Sequence, residues 1–156
     1  MVNVLFVCLG NICRSPMAEA IFRDLIKENG MEGKIAVDSA GTGDWHIGAP
    51  PHEGTQNILS NNNIDYENIK ARQIVKEDID TFEYIIAMDA KNLGEINRLA
   101  GKKPKRLIAR LLDFVPESKV EDVPDPYFTG NFEEVYEMVS EACLNLFNMI
   151  KEREEL

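Results

Sequence analysis

The chain is poor in the residues that staple, ligate or span. It has three cysteines, two histidines and one tryptophan in 156 residues. So few cysteines, odd in number, cannot close a disulfide framework, and reduced thiols in a cytoplasmic protein are expected. His46 and His52 share no ligand spacing with other donors, so no metal is assigned. No apolar run approaches the roughly 20 residues of a membrane span, and the first residues lack the basic flank of a signal peptide. No repeat, low-complexity tract or linker divides the chain, so residues 1–156 read as a single domain long enough to bury a core. Positive charge is also scarce. Seventeen Lys and Arg against 27 Asp and Glu leave a net charge of −10, which argues against nucleic acid or an anionic membrane as partner. An anionic small group remains possible, because screening over about 8 Å lets one local cluster of donors prevail.

What the chain does have is alternation. Val4 to Val7 is a continuous apolar run, the pattern of a strand covered on both faces. Ile35 to Val37, Tyr84 to Met88 and Leu107 to Ala109 are further strand candidates. Helical spacing covers Pro16 to Glu28, His52 to Asn62, Lys91 to Leu99 and Phe132 to Arg153. Cys143 falls on the apolar stripe of the last of these and reads as core. Lys102 to Arg106 (KKPKR) reads as a solvated loop. Strand–helix alternation predicts an α/β fold with a parallel sheet and right-handed crossovers. Sites in such folds sit beyond the carboxyl ends of strands, where Cys8, Asp38-Ser39 and Asp89 are expected.

The stretch VLFVCLGNICRSPMAEAIF, residues 4 to 22, concentrates the chemistry. Cys8, Gly10, Asn11, Arg14 and Ser15 form C-x-G-N-x-C-R-S directly after the first strand. Gly10 permits positive φ and Asn11 tolerates it, so successive N–H groups can turn inward as an anion nest. Ser15 suits a helix N-cap and Pro16 the first helical position, which aims the positive helix end at the same point. Arg14 adds a planar fork for two phosphoryl oxygens. The result is a dianion site with a thiol at its floor, and the same donors stabilise the thiolate, the form that attacks phosphorus. Asp125, stiffened between Pro124 and Pro126, is either a turn-forming residue or a proton donor, with Asp122 a nearby competitor. Trp45 is either core or a cleft wall, and Cys13 either a passive loop residue or an oxidation partner for Cys8.

CLGNICRSP, DSAGTGDW at 38 to 45 and DPYF at 125 to 128 resemble the low-molecular-weight protein tyrosine phosphatases. MAEAIF and HEGTQ resemble the bacterial members most. The resemblance runs over essentially the whole chain. It implies a four-stranded parallel sheet flanked by helices on both faces, with the phosphate-binding loop after the first strand, and neither metal nor cofactor. It implies a phosphocysteine intermediate on Cys8, with Arg14 on the phosphate and Asp125 as acid and then base. Leu9, Gly10, Asn11, Ile12, Cys13 and Ser15 would surround the phosphate. Trp45 and Tyr127 would wall the cleft, with Leu9 and Ile12 at its rim, and Asn11, Ser15 and Ser39 would brace the loop. Ile69 stands where relatives often carry His before Lys-Ala-Arg, so a shorter network around Ser39 is expected. The expected partners are phosphotyrosine-containing proteins, with inorganic phosphate released by a monomer. Three alternatives share the loop. An arginine phosphatase would carry Thr where this chain has Ile12. An arsenate reductase needs resolving cysteines that residues 60–100 lack. A non-catalytic phosphate-binding module has no use for both Cys8 and Asp125.

Overall fold

A computed structural model describes residues 1–102 and 107–156; Lys103 to Arg106 of the predicted basic loop lie outside them. The apolar run becomes strand β1 (Val2–Cys8). Successive side chains of a strand point to opposite faces, and here Val4 and Phe6 join one buried cluster while Leu5 and Val7 join another. Strand β2 (Ile35–Gly41) pairs parallel with β1 from Val2 opposite Ile35 to Cys8 opposite Gly41. Strand β3 (Tyr84–Ala87) lies on the other side of β1, and β4 (Leu107–Arg110) flanks β3. The sheet order is β2-β1-β3-β4, all parallel.

Helices α1 (Arg14–Glu28) and α6 (Phe132–Arg153) cover the Val4 and Phe6 face. Phe6, Phe22 and Phe147 meet edge-on there at centroid distances of 5.5 and 5.7 Å. Each buried phenyl contributes about 2–3 kcal/mol of transfer free energy. Cys143 is fully buried in this cluster, as its helical position predicts. Helix α2 (Glu53–Asn61) packs against α1 and α6. On the other face, Ile79 of α3 (Lys76–Thr81) and Ile96 and Ala100 of α4 (Ala90–Ala100) bury Leu5, Val7 and Ile85. Among the described residues, no helix is long and apolar enough to cross a membrane.

Two expectations need correction here. Strand β2 continues through Asp38 and Ser39, which sit within it rather than beyond its end. Pairing with the full length of β1 overrides the weak strand preference of Asp, Ser and Gly. Helix α1 begins at Arg14, two residues before the expected start at Pro16. The order places a topological switch between β1 and β3, because the chain leaves β1 toward β2 on one side and β3 toward β4 on the other. The crevice outside such a switch is where open α/β sheets bind ligands. The ends of β1 and β3, at Cys8 and at Ala87 just before Asp89, both open into it.

Candidate active site

Residues 9–13 turn the chain from β1 into α1 around the Cys8 sulfur. Asn11 N–H donates to Cys8 Sγ at 3.2 Å, and Ser15 Oγ lies 2.9 Å from it. Asn11 carries the left-handed turn, with φ of 56°. Gly10 does not adopt positive φ as expected; its lack of a side chain matters instead because His46 Cδ2 packs 3.1 Å from where a Cβ would stand. Ser15 is likewise not the N-cap: Cys13 occupies that position without a side-chain capping bond. The Ser15 hydroxyl is used on the sulfur, and the uncapped first turn leaves N–H groups for an anion. Asn11 Nδ2 donates to Ser15 Oγ at 2.8 Å and to Ser39 Oγ at 2.9 Å, while Asn11 Oδ1 accepts from Arg72 N–H at 3.0 Å. Ser39 therefore braces the loop from β2.

Arg14 is 3 % exposed, and its Nη1 donates to Asp89 Oδ2 at 2.7 Å and to the Val123 carbonyl at 2.9 Å. Its Nη2 faces Asp125 Oδ2 at 3.4 Å. Burial works against the guanidinium charge, but Cys8, Asp89 and Asp125 more than offset it and raise the pKa. Asp125 serves two ends. Oδ1 accepts from Tyr127 N–H at 3.1 Å and caps the short helix α5 (Pro126–Thr129), whereas Oδ2 faces the guanidinium. The turn-forming reading of this aspartate holds, and the same carboxyl lines the cleft. Asp122 is engaged elsewhere: Oδ1 accepts from Ala90 N–H at 3.0 Å and faces Arg110 Nη1 at 3.3 Å.

Cys8, Leu9, Gly10, Ile12, Cys13 and Arg14 form the floor and one side of a cleft of about 210 Å³; Trp45, His46, Asp125, Tyr127 and Phe128 complete it. Trp45 is 68 % exposed and belongs to the wall, not the core. Its ring covers Gly43, where a Cβ would fall 1.7 Å from Trp45 Cζ3, so only glycine admits this ring position. Tyr127 meets the His52 ring edge-on at 5.9 Å, and His52 stacks on Phe132 at 5.2 Å. The sequence reading gave Asp89, His46 and His52 no role in the site. Asp89 alone carried a signal, its place directly after a strand. Cys13 is a buried free thiol pushed up to about 12 by burial and by the Asp125 and Cys8 charges. A neutral, buried thiol is a slow partner for an oxidised Cys8.

The network continues beyond Ser39. Ser39 Oγ donates to Glu19 Oε1 of α1 at 2.6 Å, while Ile69 is simply core. Glu19 is 8 % exposed, and burial pushes its carboxyl up to about 7, with the Ser39 bond opposing and Asp38 adding to the rise. The folded state thus favours the protonated acid. That preference stabilises the fold fully below the ordinary value near 4.5 and is lost as pH rises through about 7. The difference amounts to about 3 kcal/mol. Glu19→Gln, neutral throughout, should gain in unfolding temperature over the parent as pH goes from 5 to 8. A constant gap across that range would contradict the assignment.

The arrangement can bind a tetrahedral dianion on loop amides and Arg14, set a thiol beneath it, and present a carboxyl above for proton transfer. A family model described as low molecular weight phosphotyrosine protein phosphatase matches residues 3–156. The chain is 57 % identical over 156 residues to the low molecular weight protein-tyrosine-phosphatase YfkJ of Bacillus subtilis, covering all of both chains. The crystal structure of YfkJ superposes with a TM-score of 0.95 over 98 % of this chain and 96 % of that one. The chain is 48 % identical to the low molecular weight protein-tyrosine-phosphatase PtpA of Staphylococcus aureus (strain MRSA252), over 96 % of this chain and 94 % of that one. A Drosophila arginine phosphatase is similar at 35 % identity and a TM-score of 0.88, over 95 % of this chain and 97 % of that one.

Proposed function

The chain belongs to the low molecular weight phosphotyrosine protein phosphatase family, and on that premise we propose that it hydrolyses phosphotyrosine in proteins through a phosphocysteine on Cys8. The observation that carries this reading is the convergence of Cys8, Arg14 and Asp125 on one cleft. Arg14 and the loop amides hold the phosphoryl oxygens. The Cys8 thiolate attacks phosphorus, the bond from phosphorus to the tyrosine oxygen breaks, and the Asp125 carboxyl protonates that oxygen as it leaves. Water then attacks the phosphocysteine, Asp125 takes its proton, and the P–S bond breaks to return the thiolate and release inorganic phosphate. Ser15 Oγ donates to the sulfur as it leaves. Residues 1–156 act as one phosphatase domain, a cytoplasmic monomer in this reading, with phosphoproteins rather than nucleic acid or membrane as partner.

The walls favour an aryl ester. Trp45 and Tyr127 both line the cleft, and Ile12, also in its lining, offers no hydrogen bond to a guanidinium. The likeness to an arginine phosphatase makes phosphoarginine the competitor to measure. Peptides of one sequence carrying phosphotyrosine, phosphoserine or phosphoarginine separate the readings by kcat/KM. We expect phosphotyrosine to be hydrolysed at least about tenfold faster than either other peptide, because a site matched to one group discriminates on that scale or more. Phosphoarginine turnover at the phosphotyrosine rate would replace the proposal.

A further inference from the structure

Glu19 has no part in the chemistry above, yet it lies one side chain from the residue that organises the loop. Asn11 is that organiser. The Arg72 backbone N–H can only donate, so Asn11 must turn Oδ1 toward it, at 3.0 Å. Both Nδ2 protons are then committed, one to Ser15 Oγ and one to Ser39 Oγ. Each hydroxyl has a single proton left to give. With Cys8 as the thiolate, that of Ser15 goes to Cys8 Sγ, 2.9 Å away, and that of Ser39 goes to Glu19 Oε1 at 2.6 Å. The network therefore runs one way, from a backbone donor through an amide hub to two acceptors: the nucleophilic sulfur and a carboxyl oxygen of Glu19.

We propose that Glu19 is a positioning residue for the Cys8 nucleophile: by accepting the Ser39 proton it holds Ser39 as an acceptor for Asn11, and so fixes both donors aimed at the sulfur. The proposal rests on the reading of Cys8 as the nucleophile. Those donors are the Asn11 N–H, 3.2 Å from Sγ, and the Ser15 hydroxyl, which Asn11 orients. Without an acceptor at position 19 the Ser39 proton must turn elsewhere, and Asn11 loses a fixed anchor while still holding a left-handed backbone. The residue is costly to the fold, which argues against a purely structural role. From Arg14 to Phe22 every residue of α1 is buried, and Glu19 is the one acid among them. Asp38 repels its charge, and Arg23 and Arg72 attract it. An apolar side chain would pack at this position without desolvating a carboxylate.

The test compares Glu19→Met, which removes the acceptor, with Glu19→Gln, whose Oε1 keeps it. Two quantities are read: the pH midpoint for iodoacetate alkylation of Cys8, located by mass spectrometry, and kcat and KM for p-nitrophenyl phosphate. In Glu19→Met the midpoint should rise by about one pH unit and kcat fall about tenfold with KM within about threefold; Glu19→Gln should stay within about twofold of the parent. Thermal unfolding at pH 8 should place Glu19→Met at or above the parent, separating lost positioning from lost folding. If Glu19→Met does not fold, Glu19→Ala carries the same expectation. A folded acceptor-less variant with the parent's midpoint and kcat would overturn the proposal. So would Glu19→Gln falling as far as Glu19→Met, which would assign the effect to charge. The midpoint is read on the thiol with no ester present. A parent that hydrolysed no phosphotyrosine would therefore count against the proposed function alone.

Discussion

Cys8→Ser should abolish hydrolysis of p-nitrophenyl phosphate while the loop continues to bind inorganic phosphate. In the proposed mechanism the anion is held by Arg14, by the first turn of α1 and by loop amides, none of which the substitution removes. What disappears is an atom that is readily ionised and polarisable. Cys8 Sγ accepts from Asn11 N–H and lies 2.9 Å from Ser15 Oγ, contacts that stabilise an anion but are too weak to ionise an alcohol. Loss of the nucleophile from a covalent mechanism costs on the order of 10⁴-fold or more in kcat. Turnover measured with a metal chelator present, beside phosphate binding by calorimetry, separates the two properties. Residual turnover within tenfold of the parent would mean that water, not sulfur, attacks phosphorus.

Asp125→Ala should lose activity in proportion to the basicity of the leaving group. A phenolate as basic as that of tyrosine, with a pKa of about 10, leaves poorly without a proton, whereas a nitrophenolate needs less help. General acid catalysis contributes about 10²–10⁴-fold, and its share grows with the pKa of the departing phenol. In the parent, hydrolysis of a common phosphocysteine is expected to limit turnover, so kcat should be nearly independent of the phenol. In the variant, transfer to Cys8 becomes limiting and kcat falls steeply along a series of aryl phosphates. Loss of the base for water adds a factor common to all substrates, so the slope isolates the acid. The substitution also removes the cap of α5, because Oδ1 accepts from Tyr127 N–H. Asp125→Asn keeps an oxygen for that bond and should show the same slope. An equal loss across the series would leave Asp125 as a base only.

The first strand, the loop and the last helix were legible because each has its own local signature. The apolar run Val4 to Val7, the spacing of Cys8, Asn11, Arg14 and Ser15, and the stripe through Val135, Val139 and Leu146 need no tertiary knowledge. Helices α3 and α5, of six and four residues, are too short to show a helical period. Ser15 followed by Pro16 gave a sound capping signal, but a hydroxyl committed to the sulfur cannot also cap a helix. Glu19 was unreadable for a different reason. A carboxyl one residue from apolar neighbours looks like an exposed helix position until β2 is seen to set Ser39 against it. The pairing of Arg14 with Asp89 and Val123 is likewise a property of the sheet order, which brings the ends of β1 and β3 together.

The guanidinium of Arg14 finds its partners 75, 109 and 111 residues further along the chain, at Asp89, Val123 and Asp125. During synthesis the whole Cys8 to Ser15 segment is made long before any of them exists, and contacts so distant in sequence close late in folding. A nascent or partly opened chain therefore holds a thiol and an arginine but no oriented fork and no acid. Competence to act on phosphoproteins arrives together with the last long-range contacts, so recovery of turnover during refolding reports completion of the fold rather than formation of its first strand and helix.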